Sequence, residues 1–127
     1  DVAALVTLGL PAIGRPSCNG GVEALARLTW KRSCIVMGEN DRKESGTWPG
    51  RDGAIQTCEK LARNWNRPVW WAMPPADVKD VRQYLITRVG NGRPGNLMDD
   101  ITIQVVRPAG HKSAIDRLRE QRKRNQR

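Results

Sequence analysis

Histidine occurs once in this chain, as His111, and cysteine three times, as Cys18, Cys34 and Cys58. Ser-His-Asp or Cys-His catalysis would have to use that one histidine, which sits beside a basic tail and outside any patterned core, so these chemistries are discounted. The cysteines are odd in number and widely spaced, with no CxxC pair. A disulfide framework or a zinc site is therefore not expected, and the pattern fits a reducing cytosol. No apolar run approaches the roughly 20 residues needed to span a membrane. The apolar start, Val2 to Leu10, has no basic leader, so no signal peptide is expected either. A first residue other than methionine suggests a piece of a longer protein. These absences predict a cytoplasmic protein with no membrane partner.

What is abundant is positive charge. The 127 residues carry a formal net charge of +9, with a sequence pI near 10.3. An excess of this size favours an anionic partner such as nucleic acid or a nucleotide. It is uneven: from His111 onward seven Lys or Arg stand against two acids, so the tail holds +5 of the +9. A solubilising linker and a nucleic-acid contact both account for such a tail. The chain is long enough for one domain with a real core. We expect that domain over 1–110 and a basic helix or linker over 111–127.

The stretch from Cys34 to Gly53 organises the rest. A short apolar run, Cys34-Ile35-Val36-Met37, leads into Gly38-Glu39-Asn40-Asp41. This is how a buried parallel strand ends, with polar groups at the carboxyl end, where open α/β sheets place their ligands. Residues i and i+2 of an extended segment point the same way, so Glu39 and Asp41 are positioned to share one cation. Carboxylate oxygens suit Mg²⁺ or Mn²⁺, and Mg²⁺ usually takes one or two carboxylates plus substrate phosphates. The alternative is two solvated loop acids, with Asp41 as a turn former. Arg42 and Lys43 flank the acids and are candidate phosphate contacts; a solvated basic pair is the plainer reading.

Helical spacing is predicted over Asp1–Leu8, Val22–Trp30, Gly50–Trp65 and Ser113–Arg127, and from Ala76 a charged turn runs into a helix. Strands are expected at Ala12-Ile13, Cys34–Met37, Pro68–Met73 and, as an alternating edge strand, Ile101–Val106. The glycine-rich loop Gly14–Gly21 lacks the spacing of a nucleotide motif and reads as a plain turn. The stretch Arg88–Asp100 reads as a second glycine-rich loop. The alternation of helix and strand argues for a mainly parallel sheet with helices on both faces.

Three stretches together resemble the toprim domain shared by DnaG-type primases, topoisomerases and related nucleases. DVAAL with GLPAIGRPS is similar to the end of the family's glutamate motif and the strand after it. GENDRK with GRDGA occupies the place of its DxD motif and the following helix. DVKDVRQYL resembles the Lys-Asp segment of primase-type members. The likeness runs from Asp1 to about Leu85, and the nearest pattern is that of primases and primase-helicases of phages and mobile elements. The resemblance implies a Rossmann-like fold and Mg²⁺-dependent RNA primer synthesis on a single-stranded DNA template from nucleoside triphosphates, with a possible helicase partner. It implies Glu39, Asp41 and Asp80 as metal ligands, with Glu39 and Asp41 catalytic. Lys79, Arg42, Lys43 and Arg51 become candidate phosphate contacts. Two departures stand out: the family's first strand, with its glutamate, is missing from this chain, and the second motif reads Glu-Asn-Asp in place of Asp-x-Asp. A toprim nuclease and a non-catalytic nucleic-acid-binding module are the competing expectations.

Overall fold

A computed structural model describes residues 1–17, 20–28, 32–90, 96–110 and 113–126. Cys18, the end of the second predicted helix at 29–30, the glycine-rich stretch 91–95 and His111 lie outside the described residues. No helix among the described residues is long and apolar enough to cross a membrane.

The sheet has three strands in the order β1-β2-β3. Strand β1 (Ile35–Met37) and β2 (Val69–Ala72) are parallel, with Val36 opposite Trp71. Strand β3 (Ile103–Val106) runs antiparallel on the far side of β2, with Val69 opposite Val106. The sheet is therefore mixed, which corrects the expectation of a mainly parallel one. A parallel return needs a crossover packed on the sheet. The helix after β2, α4 (Val81–Gly90), packs chiefly against α1 (Val2–Thr7). Ala12-Ile13 forms no strand: Pro11 and Gly14 bracket it, and Ile13 is exposed. The stretch expected as loop from Arg88 is partly helical, since α4 continues to Gly90 and α5 spans Leu97–Asp100.

The longest helix, α3 (Pro49–Trp65), explains most of the core. Proline at the first helical position costs no hydrogen bond and presets the backbone angle. Ala54, Cys58, Leu61 and Ala62 recur at helical spacing and are buried. Asn66 ends the helix in the left-handed region, φ 49°, a conformation asparagine tolerates well. Alternate residues of a strand face opposite ways. Val36 and Val69 accordingly pack on α3 and on α2 (Val22–Ala26), while Met37 packs with α1 and α4 on the other face. The helix α6 (Ala114–Asn125) follows β3, and its side chains from Ile115 onward are exposed.

Buried Tyr84 ties α4 to α5: its hydroxyl donates to Asp100 Oδ2 at 2.6 Å. Burial first, and then the hydrogen bond and negative charge of Asp100, push the phenol up to about 12. A raised folded value means the stabilisation is complete below the unfolded value, about 10, and is lost as pH rises toward 12. Tyr84→Phe should cost about 1 kcal/mol at neutral pH. Urea unfolding across the alkaline range should also show a shallower loss of stability in the variant than in the parent.

Candidate functional site

The backbone at the carboxyl end of β1 is fixed from three sides. Gly38 N–H extends the ladder to the Ala72 carbonyl at 2.9 Å, and Asn40 N–H reaches the Lys79 carbonyl at 2.7 Å. The Asn40 side-chain amide donates to the carbonyls of Pro74, Pro75 and Val78 at 3.0, 3.0 and 2.8 Å. Those carbonyls belong to the turn after β2, so one amide locks the ends of two adjacent strands together. Asp41 Oδ1 accepts from Gly50 N–H at 2.8 Å, while Trp48, at the N-cap position of α3, makes no side-chain cap. Asp41 therefore caps α3 from a distance, satisfying a donor the helix cannot satisfy itself.

Glycine at 50 follows from this packing. A Cβ there would come within 2.7 Å of the Glu39 carbonyl oxygen and 2.8 Å of Asp41 Oδ1. Gly38 is less strictly confined: a Cβ there would meet the movable Met73 Sδ at 2.5 Å and the Gly50 carbonyl oxygen at 3.0 Å. Turn and helix start meet backbone to backbone.

The sequence-predicted residues fall into three groups. Glu39 is exposed and its carboxylate takes no hydrogen bond or ion pair from any described residue; its backbone carbonyl accepts from Trp48 Nε1 at 3.0 Å. Asp41 has one oxygen committed to α3. Asp80 is buried and caps α4, accepting from Gln83 N–H at 2.8 Å, with Arg82 Nη2 3.9 Å from its other oxygen. Among the described residues no group of three or more His, Cys, Asp or Glu converges on one metal position. Glu39, Asp41 and Asp80 are thus neighbours along the strand ends and do not form a three-carboxylate cage. Lys79, Arg42 and Lys43 are exposed around them. Arg51 lies over the Trp48 ring, 4.6 Å from its centroid, and is 3.1 Å from Asp52 Oδ1. An exposed pair of this kind is worth at most about 1 kcal/mol and yields readily to a phosphate.

A groove of about 910 Å³ runs along β1 beside these residues. Leu5, Leu10 and Met37 are among its apolar walls, and Glu39, Asp80 and Arg82 are among its polar lining. Arg15 lines it too, donating to Thr57 Oγ1 on α3 at 2.8 Å. Sequence reading missed Asn40, Gly50, Trp48, Arg15 and Arg82. Only Asn40 left a signal: between two residues that point one way, the middle residue points back into the fold. No protein-family model, curated protein or solved structure matches this chain.

Because asparagine caps helices about as well as aspartate, Asp41→Asn should leave stability within roughly 0.5 kcal/mol of the parent, whereas Asp41→Ala should lose about 0.5–2 kcal/mol. Chemical denaturation of both variants checks this. Equal losses would show that the negative charge, and not the capping oxygen, matters to folding.

Proposed function

We propose that this chain is a toprim-like module of a primase, serving Mg²⁺-dependent nucleotidyl transfer for RNA primer synthesis in the intact protein. One observation carries the proposal: the exposed carboxylate of Glu39, without a partner among the described residues, stands beside Asp41 on a hydrogen-bonded turn at the carboxyl end of a parallel strand. Open α/β sheets bind their ligands at that end. The donors fit the cation. Glu39 and the second oxygen of Asp41 are hard oxygen ligands, and Mg²⁺ accepts one or two carboxylates with phosphates and water completing its shell.

When bound, divalent cations would neutralise charge on the reacting phosphate and orient the attacking 3′-hydroxyl. The chain's own side chains supply the rest. Glu39 and Asp41 hold the cation against a backbone that cannot drift, because Asn40 and Gly50 pin the turn on both sides. Asp80 supports from the start of α4. Lys79, Arg42, Lys43 and Arg51 hold triphosphate or template phosphates by charge-assisted hydrogen bonds, which position without reading sequence. The groove along β1 reaches the same strand end, with Glu39, Asp80 and Arg82 among its polar lining.

A second reading has its own observation. The bond from Asp41 to Gly50 gives Asp41 a structural duty that needs no metal, as a non-catalytic nucleic-acid-binding module would require.

Calorimetric titration with Mn²⁺ separates the two. Saturable binding, weakened at least about tenfold by Glu39→Gln and by Asp41→Asn with melting temperature preserved, supports the primase reading. Absence of saturable Mn²⁺ binding in the parent contradicts it and leaves the binding module.

A further inference from the structure

We propose that α6 is a DNA-docking helix that enters the major groove of a duplex. The helix is built to stand alone. Ser113 and Asp116 form a reciprocal capping box at its start, and the side chains from Ile115 to Gln126 are exposed. Neither Ile115 nor Leu118 belongs to the core clusters of the described residues.

Its charges are sorted by face. At about 100° per residue, Ile115, Leu118, Gln121, Arg122 and Asn125 form one strip. Arg119 lies on one flank of that strip, with Arg117 and Arg124 on the other. Both acids, Asp116 and Glu120, fall on the back. The front therefore presents Ile115 and Leu118 with two amides and a guanidinium, between two arginine flanks and with no carboxylate. A helix with side chains is about 10–12 Å across, and the B-form major groove is about 12 Å wide with phosphates on both walls. Flanking arginines suit those two walls, because guanidinium grips phosphate in a bidentate fork. Gln121, Arg122 and Asn125 are then the side chains turned toward base edges. A membrane surface fits poorly: two large apolar residues are too few for an interfacial helix, which buries a broad apolar face.

The inference goes beyond the metal reading and does not rest on it, so it is tested in EDTA. Fluorescence anisotropy of a labelled DNA duplex is followed against salt for the full chain, for Arg117→Gln/Arg119→Gln/Arg122→Gln/Arg124→Gln, and for the back-face Lys123→Gln. Glutamine matches arginine in helix propensity, so the variant keeps its helix, which circular dichroism checks. The quadruple variant should lose more than about tenfold in affinity at low salt and flatten the log–log salt slope by about 3, while Lys123→Gln changes the slope by less than about 1. Equal slopes for parent and quadruple variant would overturn the proposal. So would tighter binding to a single strand than to the duplex, or binding to phosphatidylserine-rich vesicles with none to DNA.

Discussion

The side-chain amide of Asn40 is the contact on which the candidate site depends. It donates to three carbonyls of the turn after β2, and its own backbone N–H reaches a fourth in the same turn. The sheet beneath is small, with strands of three and four residues at this point. Ladder hydrogen bonds alone would leave such ends free to fray. The amide closes them, and the Asp41 bond to Gly50 fastens the same turn to the long helix. The amide is half-buried, so leaving these carbonyls without a donor would cost part of the penalty for an unmade hydrogen bond.

That rigidity has a functional consequence. The residue on either side of Asn40 inherits a fixed backbone, and Glu39 is left with its carboxylate in solvent and its carbonyl held by Trp48. The backbone of Glu39 is thereby set in place before any ligand arrives, while its carboxylate keeps its rotamer freedom. Lys79, Arg42 and Lys43 stand exposed beside these acids at the same edge, with Arg51 over the Trp48 ring. The basic helix α6 lies apart from this turn and carries its own capping box.

Much of the fold was legible because it rests on local pattern. The strand at Ile35–Met37 shows as an apolar run closed by glycine, and α3 shows as a buried stripe with proline at its start. Ala12-Ile13 misled because two apolar residues next to proline look like a strand end, yet too few groups remain to form a ladder. The orientation of β3 was not legible, since parallel and antiparallel edge strands share the same alternation. At the candidate site, the acids stood out and their partners did not. The bond from Asp41 to Gly50 spans nine residues of irregular loop, and the Asn40 contacts span more than thirty. No spacing rule reaches across such distances. Gly50 is demanded by the approach of another segment's backbone, which is invisible until the fold is known.

The most direct test of the central claim is paramagnetic line broadening by substoichiometric Mn²⁺ in an amide-resolved NMR spectrum of the ¹⁵N-labelled chain. Broadening confined to amides of Gly38–Lys43, Gly50 and Lys79–Asp80 would place a cation on the acidic turn, as the account predicts. Broadening centred on another acidic patch such as Asp99 and Asp100, or none at all, would contradict it.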